Sequence, residues 1–170
     1  MLISQAAMAV ACGYVHTAFV SEDGSAYTTG SGERGQLGHG DWQPKHRPTI
    51  ITLAAGASPR FVMLAAGAYH TVASSSDGAL WSWGRGYEGQ LGHGDTERRP
   101  TPARLGLEVF GGWPVVMAAC GFGHTLVLTA AGEIFSCGSG GYGQLGHGDL
   151  VRQPLFRRVA VDFSAGQRFK

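Results

Sequence analysis

Residues 84–95 read GRGYEGQLGHGD. Gly84, Gly86 and Gly89 satisfy GxGxxG, the spelling of a dinucleotide-binding loop. Such a loop needs a strand before it and a helix after it, whose N-terminus holds the pyrophosphate. Here the chain continues as QLGHGD and then TERRPTPARL, so no helix opens. The same spelling recurs at Gly30, Gly32 and Gly35, and again at Gly138, Gly140 and Gly143. Three copies, none leading into a helix, read as turn geometry rather than as a phosphate cradle.

The recurrence extends well beyond the glycines. GQLGHGD occupies residues 35–41, 89–95 and 143–149, each copy 54 residues after the last. The same offset relates Gly13, Gly67 and Gly121, and it relates His16-Thr17, His70-Thr71 and His124-Thr125. A fixed period of this length signals a repeat architecture.

Each unit reads as short strands. In the third copy PVVMAAC, HTLVLTA and EIFSCG are apolar runs separated by glycine-bearing turns. Asp23-Gly24 and Asp77-Gly78 are hairpin signals; Ala131-Gly132 keeps only the glycine, whose role is positive φ. After each GHGD comes a run with proline, Pro48 and Pro102 being in register, which suits a connection or an outer edge strand. The spacing predicts an all-β chain, a partial β-propeller of stacked antiparallel blades of three or four strands. The repeats span about 8–61, 62–115 and 116–160, with the start of a fourth at 161–170, in a single repeat domain over 1–170. Tyr27, Trp81 and Phe135 share a slot suited to the gap between blades. Ala11, Ala65 and Ala119 share one suited to a crowded innermost strand.

Composition narrows the function classes. Glycine is 28 of 170 residues, more than twice the usual share, without a strict triplet period, so collagen is excluded. Net charge is +1 and basic residues are scattered, which counts against tight nucleic-acid binding. Three cysteines, Cys12, Cys120 and Cys137, do not make a disulfide framework. AAMAVAC is too short to cross a membrane and lacks the charged lead of a signal peptide. The expectation is an intracellular protein, nuclear or cytoplasmic, without a membrane role.

The pattern A-x-G-x-x-H-T … D-G-x-x-x-x-x-G-x-x-x-x-G-Q-L-G-H-G-D resembles the repeat of the regulator of chromosome condensation family, over about residues 8–166. That resemblance implies a propeller, of typically seven blades in the family. This chain departs in number: three full units and VAVDFSAGQRF, where Phe169 stands in the histidine slot and Asp162 in that of Met63 and Met117. The last linker is also shorter, 17 residues from Asp149 to Gly166 against 26 in the earlier copies. A ring is therefore not expected to close alone. Exposed blade faces should drive self-association, two copies completing a six-bladed or open ring.

The resemblance implies a non-catalytic protein-binding scaffold. It offers guanine-nucleotide exchange on a small GTPase such as Ran, and chromatin attachment, as alternatives. No long insertion suited to exchange interrupts the repeats. Relatives that sense ultraviolet-B use tryptophan in G-W-R-H-T; here the equivalents are GYVHT, GAYHT and GFGHT.

The recurring residues read as structural. His16, His70 and His124 fall in three different blades, too far apart to share an ion, and are expected to be inward rings bonded to backbone across adjacent turns. Thr17, Thr71 and Thr125 offer hydroxyls beside them. Gly13, Gly67, Gly121, Gly35, Gly38, Gly89, Gly92, Gly143 and Gly146 serve turns. Asp41, Asp95 and Asp149 are expected to accept backbone N–H bonds. Cys12 and Cys120 swap with Ala66, and Cys137 with Trp83 and Thr29, which marks packing rather than chemistry. No catalytic grouping, cofactor site or metal site is expected. Partner binding is assigned to the loops where the copies differ: Arg34, Trp42, Arg85, Tyr87 and Glu88. Trp113, in Gly-Gly-Trp-Pro, is left between linker and contact.

Overall fold

The computed structural model describes residues 6–53 and 59–161. The start of a fourth unit lies outside these residues except for Val161. Among the described residues twelve strands form three four-stranded antiparallel sheets, each in simple sequence order. The first blade holds β1 (Ala7–Cys12), β2 (His16–Ser21), β3 (Ala26–Gly30) and β4 (Lys45–Ile50). The second holds β5 (Phe61–Ala66), β6 (His70–Ser75), β7 (Leu80–Gly84) and β8 (Arg99–Leu105). The third holds β9 (Val115–Cys120), β10 (His124–Thr129), β11 (Ile134–Gly138) and β12 (Gln153–Arg158). The proline runs are thus the fourth, outermost strands. As the outer strand of its sheet each pairs on one side only, so the missing proline N–H breaks no ladder; the Pro100 and Pro154 carbonyls accept the N–H of Gly40 and Gly94 from the preceding blade.

The β2–β3 and β6–β7 turns close as their sequences suggest. Asp23 accepts bonds from the Ser21 hydroxyl and from Ser25 N–H at 2.6 and 2.9 Å. In the third blade, where Ala131 replaces the aspartate, the Thr129 hydroxyl accepts Glu133 N–H instead, at 3.2 Å.

The blades stack through their first strands: β5 packs on β1 and β2, and β9 on β5 and β6. Alternation along each strand sends one set of side chains to each neighbouring blade. Two cores result. Between the first and second blades lie Ala18, Val20, Ala26, Phe61, Leu64, Ala73 and Trp83. Between the second and third lie Val72, Leu80, Val115, Val127, Phe135 and Cys137. The Tyr27–Trp81–Phe135 slot always faces the preceding blade. Phe135 is buried and Trp81 half-buried, whereas Tyr27 meets no preceding blade among the described residues and stacks on Phe19 at 5.4 Å.

One element is invisible in the repeat pattern. Leu107–Phe110 is a turn of 3-10 helix in the linker after β8, closed by Gly111 at φ 67°. It drives Phe110, with no exposed surface, into the second core against Phe135 and Phe156, at centroid distances of 5.5 and 5.2 Å.

Candidate functional site

The His-Thr dipeptide is the joint between blades. Adjacent residues on a strand point to opposite faces, so His16 faces the second blade while Thr17 faces away. The ring of His16 meets not its neighbour Thr17 but Thr71, 2.8 Å from Nε2. His70 meets Thr125 in the same way at 2.9 Å. The Thr71 hydroxyl in turn donates to the carbonyl of Gln36 at 2.9 Å, and Thr125 donates to that of Gln90 at 2.7 Å. A hydroxyl has one proton, already given to the carbonyl, so each ring must donate through Nε2–H, and a neutral ring then carries no proton on Nδ1. The expectation of a ring bonded to backbone is therefore corrected: backbone is reached only through the next blade's threonine.

The glycine before each histidine belongs to the same joint. A Cβ on Gly67 would overlap the His70 ring and lie 2.6 Å from the Gly121 carbonyl oxygen, so no side chain fits. Burial holds these rings neutral: His16 is pulled down to about 4 and His70 to about 3.

The second set of histidines works inside each blade. His39, His93 and His147 place Nε2 2.9–3.0 Å from the hydroxyls of Thr28, Ser82 and Ser136. Each hydroxyl donates to the carbonyl of Leu37, Leu91 or Leu145 at 2.7 Å. Asp41, Asp95 and Asp149 accept the N–H two residues on, from Gln43, Glu97 and Val151. They also carry ion pairs that the repeat alone does not reveal, with Lys45, Arg99 and Arg157. These partners hold the carboxyls below the usual range, through hydrogen bonds first.

The GxGxxG loop has no room for a phosphate. A Cβ on Gly86 would run into the Glu97 carbonyl, so the loop is closed against its own linker. Gln36 and Gln90 are buried beneath it and accept the N–H of Arg34 and Glu88 at 2.8 and 2.9 Å. Burial pushes the Cys120 thiol up to about 12 and the Cys137 thiol up as well. The raised values disfavour the thiolate that nucleophilic chemistry requires. Among the described residues no group of His, Cys, Asp and Glu is arranged to hold a metal ion.

The β1–β2 and β3–β4 turns, and their counterparts in the other blades, share one face. There the sequence candidates acquire neighbours. The Arg98 guanidinium lies over Trp42 at 4.6 Å and over Tyr87 at 5.7 Å. Arg85 lies over Tyr87 at 5.4 Å and over Tyr69 at 6.0 Å. Glu88 sits 3.5 Å from Arg85 and 4.0 Å from Arg152, and Arg152 donates to the Tyr87 carbonyl at 3.0 Å. Tyr14, Tyr69 and Phe122 form an edge-to-face ladder across all three blades, at 5.9 and 6.0 Å. Arg34 is exposed on the same loops. Trp113 is also half exposed, in the linker before β9.

Sequence reasoning missed Tyr69, Arg98 and Arg152 on this face. Arg98 and Arg152 share one repeat slot, held by Pro44 in the first copy, and that was the available signal. Tyr69 is displaced by one residue from Tyr14 and Phe122, which hides it from slot-by-slot alignment.

The sequence model of the regulator of chromosome condensation (RCC1) repeat matches residues 23–74, 77–128 and 131–169. Its units begin in the turns after β2, β6 and β10, so the first two each take two strands from one blade and two from the next. The chain is 41% identical over 141 residues to the ultraviolet-B receptor UVR8 of Arabidopsis thaliana, covering 83% of this chain and 31% of the receptor. It is 38% identical over 138 residues to the human E3 ubiquitin-protein ligase HERC2, covering 78% of this chain and 3% of the ligase. Among solved structures it resembles yeast RCC1 (Prp20), crystallised with Kap60, at TM-score 0.77 and 26% identity, over 94% of this chain and 38% of that one. The chain thus spans about a third or less of the curated relatives' own length.

Proposed function

The chain belongs to the regulator of chromosome condensation repeat family, and from that premise we propose that it is a non-catalytic protein-binding module whose contact surface is the face of the β1–β2 and β3–β4 turns. The observation that carries this reading is the chain Trp42–Arg98–Tyr87–Arg85–Tyr69. These residues are exposed or half exposed, and each guanidinium lies against two rings. Arginine, tryptophan and tyrosine dominate binding hot spots because they combine large apolar area with fixed polar direction. The corresponding positions in the sister repeats carry other residues: Thr96 and Leu150 stand in the slot of Trp42, and Gly141 in that of Tyr87. The partner that suits this face is a protein surface bearing carboxylates beside an apolar tip. Arg85 and Arg152 are already shared with Glu88, which favours such a partner over a run of phosphates.

The test compares the chain with its Trp42→Ala/Arg98→Ala double variant as bait in nuclease-treated extract. Recovery of a specific protein should fall about tenfold or more with the variant while its melting temperature holds. Equal recovery, or loss on nuclease treatment alone, would overturn the reading. Faster release of labelled nucleotide from a small GTPase mixed with the chain would replace binding alone with nucleotide exchange.

A further inference from the structure

The two internal joints differ at the end of the blades opposite the loop face. In the first joint Arg60, just ahead of β5, crosses from the second blade to the first. Its stem packs over Gly24, where a Cβ would overlap it, and its guanidinium donates to the Glu22 carbonyl at 2.7 Å. One repeat later Pro114 stands in the slot of Arg60 and Ser76 in that of Glu22. The backbone is the same in both joints. Phe61 N–H donates to the Gly24 carbonyl at 2.9 Å, and Val115 N–H donates to the Gly78 carbonyl at 3.0 Å. Pro114 packs on Gly78 as Arg60 packs on Gly24, but its ring ends there and sends nothing on toward Ser76.

The space that Arg60 spans in the first joint is open in the second. A cleft of about 460 Å³ lies there, lined by Val62, Ser74, Ser76, Asp77, Pro114 and Val116 among others. Both of its walls are internal, the second blade and the third, so it does not depend on the ends of the stack. Val62 and Val116 are exposed and offer apolar flanks to a methylene stem. The Ser76 carbonyl accepts no hydrogen bond among the described residues. Ser74 stands in a slot held by Val20 and Leu128; it is buried, and its hydroxyl has no partner among the described residues. Leaving a buried hydroxyl unbonded is unfavourable, which marks this serine as unlike its apolar sisters. The Asp77 carboxylate, also paired with Arg104 at 3.2 Å, adds a negative group to the lining.

We propose that this cleft binds an arginine side chain of a partner protein, laid where Arg60 lies in the sister joint. Its stem rests between Val62 and Val116, and its guanidinium donates to the Ser76 carbonyl and the Ser74 hydroxyl beside the Asp77 charge. A guanidinium has five N–H donors and no acceptor, and a carbonyl, a hydroxyl and a carboxylate all accept. The lining holds no cation, so a phosphate or a carboxylate finds no counter-charge in it. The cleft and the loop face lie at opposite ends of the blades, so the two proposals can fail independently.

Amide spectra of the labelled full chain, titrated with N-acetylarginine amide, test the proposal. Shifts at Ser74–Gly78 and Val116 should saturate, and N-acetylnorleucine amide, which has the stem without the charge, should produce none. Pro114→Arg supplies the missing side chain from within and should weaken binding by more than about tenfold. Its backbone bond to Ala130 is kept, as Arg60 keeps the equivalent bond to Ser76, and a dispersed amide spectrum confirms the fold. Ser74→Val, which restores the residue of the first copy, should weaken binding about threefold or more through the lost acceptor. Arg60→Ala empties the first joint and should add a second set of saturating shifts at Ser21–Gly24. Shifts that do not saturate, or equal shifts from the norleucine amide, would overturn the proposal. So would binding left unchanged by Pro114→Arg or by Ser74→Val.

Discussion

The two internal joints use the same latch but different fillers. In the first, Trp83 fills the gap and its indole N–H donates to the Gln36 carbonyl at 3.0 Å. In the second, Cys137 stands in the same slot, with its sulfur 3.5 Å from the Gln90 carbonyl. The volume that tryptophan would occupy is supplied from elsewhere, by Phe110 of the linker and Phe156 of β12. Polar geometry at the joint is fixed because a hydroxyl, a ring nitrogen and a carbonyl tolerate little displacement. Apolar filling is free to come from any neighbouring segment, since burial has no direction.

Acid should act on what the joints share, and with the largest effect. His16 and His70 are held near 4 and 3 against an ordinary value of 6.5, so the unfolded chain binds more protons between those values. Stability is fully present above about 6.5 and falls as pH drops toward 4 and below, by about 1.4 kcal/mol for each unit of depression. Denaturant midpoints measured from pH 7 to pH 4 should decline steadily. A flat profile would mean that the rings are not buried neutral.

Filling should separate the joints. Trp83→Ala is expected to cost about 3–5 kcal/mol, through a cavity in the first joint alone. Phe110→Ala should cost a similar amount in the second joint, although Phe110 lies outside the repeated strands. Hydrogen exchange can locate each loss: β2 and β6 should lose protection in the first variant, β6 and β10 in the second. If Phe110→Ala changes little, the linker is not the compensating filler.

The latch itself has a smaller effect. Thr125→Val removes a buried hydroxyl but leaves the Gln90 carbonyl and His70 unpaired, for about 1–3 kcal/mol. Thr17→Val, the same change at the open face, should alter the stability of the separate chain within about 0.5 kcal/mol. Equal costs at both sites would deny that the threonine acts across a joint. Smallest of all is Trp42→Ala, expected within about 0.5 kcal/mol of wild type, because Trp42 is exposed and held by one guanidinium.

The architecture was legible because its signals are repeated. The 54-residue offset marks blades, the glycines mark turns, and period-two alternation marks which side chains enter the joints. The outer position of the proline strands came from a missing N–H. The latch was not legible, although both members stand in the same dipeptide. His16 and Thr71 are 55 residues apart, one repeat plus one, and only opposite-facing neighbours on a strand make that offset meaningful. Phe110 was hidden because it acts from a linker, outside the strand pattern. On the loop face the variable residues Arg85, Tyr87 and Trp42 stood out against their sisters, whereas Arg98 and Tyr69 become visible only when ring and guanidinium are seen together.

The most direct test is the protonation of the buried rings. Long-range proton–nitrogen correlation spectra of the histidine side chains at neutral pH report which ring nitrogen carries hydrogen. The hydroxyl arithmetic requires His16 and His70 to carry a proton on Nε2, burial keeps the rings neutral, and His70 should stay so well below pH 6.5. A proton on Nδ1, or a ring that charges at its ordinary value, would contradict the joint on which the stacking of the blades depends.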